Sequence, residues 1–441
     1  MTNILPPFKI KTVEPIFLSS KEERKEWVKQ ANYNLFNLKS EQVIIDFLTD
    51  SGTGAMSAEQ TAQLITGDES YAGASSYRYF SNTIGAITGF NHIFPVHQGR
   101  AAERILFTLM ADKKKIIPNN NHYDTTRANI EVTGADAVDL VNESNEDFKG
   151  NMDIAKLKNL LEQKADAIPL IMITVTNNTG GGQPVSMQNI KDISNLAKQF
   201  NKPFFIDSCR FAENAYFIKT REKGYADVSI EDIVREMFSY ADGMTMSAKK
   251  DAIAHIGGWL AVNDDELAEK IENLVILTEG FKTYGGLAGR DLEAIATGMI
   301  SGLEFDYLEH RIGQVGKLGK LLQKVGVPIV SPTGGHAVYV NAKEFLPHIP
   351  SDQFPAAALA VALYIEGGIR GSEVGSLMFG KNATKELLRL AIPRRVYGSE
   401  HIEYVASIFT KIIKRKDNIK GMKIIKEPQN LRHFSALLDY A

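Results

Sequence analysis

The stretch Ile168-Pro169-Leu170-Ile171-Met172-Ile173-Thr174-Val175 is short, rich in β-branched residues and apolar on both of its faces. A half-exposed strand would alternate; a strand without a polar face belongs to a sheet covered by helices on both sides. The run stops at Asn177-Asn178-Thr179-Gly180-Gly181-Gly182, a cluster of turn formers. Outward from there, Ile190, Ile193, Leu196 and Ala197 recur at helical spacing, and Pro203-Phe204-Phe205-Ile206-Asp207 reads as a second buried strand. Ser229 with Asp232 predicts a helix start, and Ile233, Val234 and Met237 continue its apolar face. Gly243-Met244-Thr245-Met246-Ser247 and Gly258-Trp259-Leu260-Ala261-Val262 supply two more strands, with a helix from Asp264-Asp265 after them. This rhythm predicts an α/β layer around a mostly parallel sheet.

The C-terminal part differs. Ala356 to Ile365 reads as a compact apolar helix, and Ile402, Val405, Ile408, Phe409, Ile412 and Ile413 as a long amphipathic one, with a strand at Val338 and Val340. These elements predict a second, smaller α+β domain over 309–441. A large domain spans 51–308, and residues 1–50, which lack a core of their own, are expected to pack with the small domain.

Composition bounds the function. The chain has 441 residues, 44% hydrophobic and 23% charged, which excludes a disordered or collagen-like protein. Fifty basic against 53 acidic residues leave a net charge of −3, too little to draw the whole chain to nucleic acid or an anionic membrane. The basic stretch Lys411 to Lys416 is interleaved with Ile412 and Ile413, the pattern of an amphipathic helix with a solvated face. Cys209 is the single cysteine, so no internal disulfide or structural zinc site is expected, and a reducing cytoplasmic compartment fits. Met1 to Pro7 is broken by prolines and lacks the layout of a secretory leader. The longest apolar runs fall short of the ~20 residues that span a bilayer, so no membrane partner is expected.

In parallel sheets, ligand-binding residues gather at the carboxyl ends of strands. Asn178 and Asp207 sit at such ends, and Lys250 follows the Gly243–Ser247 strand closely. An aspartate at one strand end and a lysine after a later strand match what pyridoxal phosphate requires. The amine forms a Schiff base with the cofactor aldehyde, and the carboxylate keeps the pyridine nitrogen protonated. A free lysine with a pKa of about 10.4 is mostly protonated and a poor nucleophile; imine formation beside a second cation, Lys249, removes that difficulty. The same residues also suit a strand-end cap and solvated lysines. His97-Gln98-Gly99-Arg100-Ala101-Ala102-Glu103 opens a helix with a glycine turn and an arginine, which suits a phosphate as well as an ordinary exposed helix start. Gly180-Gly181-Gly182 is a weaker phosphate candidate.

An ordered set of motifs is more specific. Leu48-Thr49-Asp50-Ser51-Gly52-Thr53-Gly54, Gly67-Asp68-Glu69-Ser70-Tyr71-Ala72-Gly73, His97-Gln98-Gly99-Arg100 and Gly181-Gly182-Gln183-Pro184-Val185-Ser186 are followed by four more. These are Glu213-Asn214-Ala215-Tyr216-Phe217-Ile218-Lys219, Tyr284-Gly285-Gly286-Leu287, Gly334-Gly335-His336-Ala337 and Ile392-Pro393-Arg394-Arg395. Together they resemble the β-eliminating lyase family of pyridoxal phosphate enzymes, from near Pro7 to the C-terminus. The resemblance implies the fold type I architecture of aspartate-aminotransferase-like enzymes: a large domain with a mostly parallel seven-stranded sheet and a smaller α+β domain. It also implies a homotetramer, a dimer of dimers with its active site at a dimer interface.

Carried over residue by residue, the resemblance makes Lys250 the Schiff-base lysine, Asp207 the partner of the pyridine nitrogen and Arg210 a neighbour of the phenolic oxygen. Gln98, Gly99, Arg100, Ser247 and Lys249 fall where the family holds the phosphate. Tyr123 matches a ring-stacking aromatic that is usually Phe. Asn178 and Arg394 match binders of the substrate carboxylate, with Ser51, Phe281 and Val374 also lining the substrate. Glu69, with the backbone oxygens of Gly52 and His255, matches a monovalent-cation site, for K+.

The family has an indole-releasing and a phenol-releasing branch. The phenol branch resembles this chain less: it has Arg at the position of Val374, Thr at Asp124, Phe at His433 and Met at Phe281. A valine cannot hydrogen-bond a phenol hydroxyl. Each position also has a plain structural reading: Val374 as core, Asp124 as a helix cap, His433 as cover for a helix end. The expected reaction is β-elimination of L-tryptophan to indole, pyruvate and ammonia. Indole leaves once its ring carbon is protonated, and the acid must hold a proton at neutral pH. Tyrosine, with a pKa of about 10, does so, whereas histidine at about 6.5 is mostly neutral. Tyr71 is therefore the expected acid, with Asp124 and His433 orienting the indole. Alternatives are phenol release, an aminotransferase, or a silent relative acting as a binding protein.

Overall fold

The computed structural model describes residues 5–441 except 143, 145, 146 and 430. Met1 to Ile4, the start of the segment read above for a leader, lie outside the described residues. The chain divides into two compact units: Ser51–Glu309, and Met1–Asp50 together with His310–Ala441.

The larger unit is built on a five-stranded sheet in the order His92–Val96, Gly258–Val262, Gly243–Ser247, Phe204–Asp207, Ile171–Thr174. The last three strands are parallel, and Gly258–Val262 runs antiparallel to both of its neighbours. Every residue of the four strands from Gly258–Val262 to Ile171–Thr174 is buried, as double-sided cover by helices requires. The helices start where short polar side chains take up free N–H groups. Ser186 accepts from Asn189, Ser229 from Asp232 and Asp264 from Leu267, opening Met187–Gln199, Ile230–Ser239 and Asp265–Thr278.

Ile116–Asn119 and Asp136–Asp139 form a separate parallel pair, so the expected seven-stranded sheet is divided into ladders of five and two. The cause lies at Thr174. Its N–H donates to Asn120 Oδ1 at 3.0 Å, and its carbonyl accepts from Asn120 Nδ2 at 3.0 Å. A side-chain amide thus occupies both backbone groups that a neighbouring strand would have paired.

The smaller unit has an antiparallel sheet in the order Ser372–Val374, Leu387–Ala391, Ala337–Asn341. The N-terminal segment joins it through Ile45–Asp46, which pairs in parallel with Ile369–Arg370. Helix Pro355–Gly367, buried on most of its surface, and helix Ser399–Ile413 supply the apolar interior, with Leu359, Leu363, Ile402 and Phe409 at its centre. Among the described residues no helix is long and apolar enough to cross a membrane.

Candidate active site

The strand Phe204–Asp207 ends in a buried carboxylate. Asp207 accepts from the Thr174 hydroxyl at 3.3 Å and from the Cys209 thiol at 3.1 Å. Asp207 is in register with Thr245 of the next strand, which carries the chain on to Ser247 and Lys250. Nζ of Lys250 donates to Ser247 Oγ at 2.9 Å. The loop is tied down by Asp251, whose carboxylate accepts from the N–H groups of Ala212 at 2.8 Å and Glu213 at 3.4 Å, in the first turn of helix Phe211–Arg221. Sheet register and this helix cap bring two residues distant in sequence to one sheet edge. Both Asp207 and Lys250 act electrostatically on Cys209, whose thiol burial and Asp207 push up to about 12.

Beside them, helix Gly99–Met110 begins against the end of the Gly243–Ser247 strand. A Cβ on Gly99 would lie 2.6 Å from Ser247 Cβ and 3.1 Å from its backbone nitrogen, so only glycine permits this approach. The helix N-terminus turns free N–H groups outward next to Arg100 and Lys249. The ammonium of Lys249 is pushed below its ordinary value by burial and by the neighbouring charges of Lys250 and Arg100. Converging cations at a helix N-terminus are a site for a dianion. Gly52, at φ +72°, donates its N–H to Lys249 O at 2.8 Å, and a Cβ there would strike Lys249 Cε at 2.5 Å. An amine, a buried carboxylate and an anion cradle on one sheet edge are the donor set that pyridoxal phosphate takes: aldehyde, ring nitrogen and phosphate.

Tyr123, not Asp124, holds the cap position of helix Asp124–Val132, which has no side-chain cap bond, so the helix-cap reading of Asp124 is corrected: Asp124 is buried in the first turn and accepts from Thr125 N at 2.6 Å. Arg210 is buried and heads helix Phe211–Arg221; Asn178 is buried in the loop after Ile171–Thr174.

Glu103 and His122 are site features that sequence reasoning missed. Glu103, a turn into the cradle helix, accepts from the Thr126 hydroxyl at 2.5 Å, and burial and Asp207 push it up to about 8. Its signal was an acid on the inward face between Ala102 and Leu106. His122 is buried before Tyr123, with Nδ1 2.7 Å from Asp139 Oδ1, and burial lowers its pKa. Nothing in its spacing marked it.

Tyr71, by contrast, is 67% exposed. Its ring stacks on Phe281 at 5.4 Å and meets Tyr284 edge-on at 5.3 Å. Its hydroxyl is raised above the ordinary tyrosine range by a hydrogen bond with Tyr284 and by the charge of that residue. Glu69 accepts from the N–H groups of Gly289 at 2.7 Å and Arg290 at 3.1 Å, capping helix Gly289–Gly302. Gly52 and the His255 carbonyl do approach each other: a Cβ on Gly52 would lie 3.0 Å from that oxygen. Ser51 lies half-buried next to Gly52.

In the smaller unit Arg394 is 1% exposed, and its guanidinium donates to Asp50 Oδ2 at 2.9 Å. Val374 packs in an apolar cluster with Tyr339, Leu387 and Ala391, as its core reading requires. His433 is buried in the turn Arg432–Phe434, its ring 3.9 Å from that of Phe434.

A protein-family signature, Beta-eliminating lyase, matches residues 46–408. The chain is 56% identical to a tryptophanase of Salinibacter ruber over 99% of this chain and 96% of that protein. It is 52% identical to a tryptophanase of Hyphomonas neptunium over the whole of both, and 46% identical to a tyrosine phenol-lyase of Pasteurella multocida over 98% of this chain and 97% of that one. A Sphingomonas serine palmitoyltransferase solved with a pyridoxal phosphate adduct superposes with a TM-score of 0.64 at 13% identity, covering 90% of this chain and 97% of that one, a likeness of fold. The chain belongs to the β-eliminating lyase family.

Proposed function

We propose that this protein is a pyridoxal-phosphate-dependent carbon–carbon lyase that β-eliminates L-tryptophan to indole, pyruvate and ammonia. The observation that carries the reading is Lys250, held by Ser247, on the same sheet edge as the buried Asp207. Full-length identity to tryptophanases supports it. An apolar Val374 among apolar neighbours favours indole over phenol.

Gln98, Gly99, Arg100, Ser247 and Lys249 would hold the phosphate, Asp207 the ring nitrogen, Arg210 the phenolic oxygen and Tyr123 the ring face. When bound, the cofactor supplies a ring that accepts the electrons released at the substrate's α-carbon. Arg394, oriented by Asp50, binds the substrate carboxylate with Asn178. Nζ of Lys250 takes the Cα proton. The Tyr71 hydroxyl, kept protonated at neutral pH by its ordinary pKa of about 10 and the further raising by Tyr284, delivers a proton to the leaving ring. Asp124, His433, Phe281, Val374 and Ser51 orient and enclose that ring.

The exposure of Tyr71 supports an assembly in which another copy covers it, a homotetramer built from dimers. The close approach of Gly52 to the His255 carbonyl supports a K+ site there, with Glu69 completing it. The balance of charge and the single cysteine support a cytoplasmic enzyme.

The test is direct. Purified protein with pyridoxal phosphate and K+ is offered tryptophan and tyrosine separately, and indole, phenol, pyruvate and ammonia are assayed. Indole with equimolar pyruvate is expected. Phenol instead points to the tyrosine branch, and accumulation of the cofactor's amine form without ammonia points to transamination.

A further inference from the structure

His97 comes just before the cradle residues Gln98, Gly99 and Arg100, and the reaction proposed above gives it no part. Its partner is Glu279, at the end of helix Asp265–Thr278, where the Glu279 N–H donates to Val275 O at 2.8 Å. The turn that follows is pressed onto the strand His92–Val96. Gly285, at φ +56°, sits so close that a Cβ there would lie 1.7 Å from Pro95 O, a setting only glycine can take. Docking of this turn carries the Glu279 carboxylate to His97. Its Oε2 accepts from the His97 backbone N–H at 3.0 Å and lies 2.5 Å from His97 Nδ1. The Glu279 side chain is 7% exposed. A carboxylate so buried needs donors, and His97 supplies two.

Gln98 stands on the other side of the imidazole. It holds the cap position of helix Gly99–Met110, yet its side chain makes no bond to that helix. The amide is turned to His97 instead, with Nε2 of Gln98 3.2 Å from Nε2 of His97. An amide nitrogen only donates, so the ring nitrogen facing it is the acceptor, and a neutral imidazole then carries its proton on the other nitrogen. That other nitrogen, Nδ1, is the one that faces Glu279. The two contacts demand the same tautomer. The backbone beside them is held as well, for Gly257 N donates to His97 O at 2.8 Å.

We propose that Glu279 and His97 are positioning residues for the cofactor phosphate: Glu279 fixes the His97 proton on Nδ1, and Nε2 then holds the Gln98 amide in one orientation, leaving its second N–H for the phosphate. The proposal rests on the reading of Gln98 as a phosphate residue and on no later step of the reaction.

The test titrates the full-length chain, freed of cofactor, with pyridoxal phosphate and with pyridoxal, which lacks the phosphate, and follows their absorbance. Melting temperature shows that each variant is folded. Glu279→Ala and His97→Phe break the chain of hydrogen bonds, whereas Glu279→Gln keeps a carbonyl acceptor without the charge. The dissociation constant for pyridoxal phosphate should rise about fivefold or more in the first two and stay within about twofold of wild type in Glu279→Gln. Pyridoxal should bind within about twofold of wild type in all three. The double variant should bind no more weakly than the worse single one, because both changes cut one chain. Unchanged affinity in Glu279→Ala and His97→Phe would overturn the proposal. So would equal losses for pyridoxal, which mark a general loosening, or a loss in Glu279→Gln as large as in Glu279→Ala, which marks a charged imidazolium pair. If one of the breaking variants fails to fold, the other decides; if both fail, a crystal structure of the wild-type holoenzyme does. Gln98 bridging His97 and the phosphate supports the proposal, and Gln98 turned away from either overturns it. Indole release is no part of the test, so failure of the proposed reaction leaves these results to decide. Wild type that binds no pyridoxal phosphate refutes the cofactor reading and overturns the proposal with it.

Discussion

Lys250 and Ser247 are joined by a hydrogen bond of 2.9 Å from Nζ to Oγ, and that same serine is the atom wall against which Gly99 packs. The amine and the anion cradle are therefore positioned by one side chain. Lys250→Ala should abolish the visible absorbance of the lysine-linked cofactor and lower elimination by at least about a thousandfold. A spectrum unchanged from wild type would show that the lysine is misassigned.

Gly99→Ala introduces a methyl 2.6 Å from Ser247 Cβ, closer than carbon atoms pack. The helix start must retreat from the strand end, and the cradle opens. The dissociation constant for pyridoxal phosphate should rise about tenfold or more, measured by equilibrium titration of the apoprotein. Affinity within twofold of wild type would mean that the phosphate sits elsewhere.

Tyr71→Phe should remove most indole release and leave elimination from S-alkylcysteines, whose leaving groups need no ring protonation, within about threefold. Equal losses on the two substrates would refute the role of the hydroxyl as acid.

The folded chain raises Glu103 to about 8 from an ordinary 4.5. A carboxyl raised on folding contributes stability that is full below its unfolded pKa and lost as pH climbs through the folded value. Wild-type apoprotein should therefore lose stability relative to Glu103→Gln between about pH 5 and about pH 8, by at most about 1.4 kcal/mol per pH unit. Denaturant unfolding across that range checks it, and parallel pH curves for the two proteins would refute the burial of a neutral acid.

Arg394→Lys replaces a planar fork bonded to Asp50 by a point charge. KM for amino acids should rise about tenfold, with cofactor absorbance unchanged. An unaltered KM would remove Arg394 from the substrate site.

Much of this fold was legible because its signals are local. An unbroken apolar run such as Ile171–Thr174 has only one stable setting, and Ser229 and Asp264 cap the helices predicted after them. The break in the sheet was not legible. It depends on which way the Asn120 amide points, a choice made by Thr174 from across the sequence. In the site, strand-end logic brought Asp207 and Lys250 forward as candidates, while a strand-end cap and solvated lysines remained open until the ordered motifs were weighed. Glu103 and His122 could not be brought forward, because the burial that raises the one and lowers the other is made by the surrounding fold, and spacing carries no record of it. The exposure of Tyr71 was equally hidden: its residue type states its chemistry, and only the folded chain shows that it stands at a surface.

The thiol of Cys209, the sole cysteine of the chain, is committed to Asp207 and pushed up to about 12. A thiolate is what attacks maleimides and disulfide reagents, and a thiol held protonated at neutral pH offers them little to react with. The unaltered protein is thus a nearly silent background for thiol labelling. Fluorophores or spin labels placed on introduced cysteines within either unit then report on that unit alone, with no need to replace a native residue first.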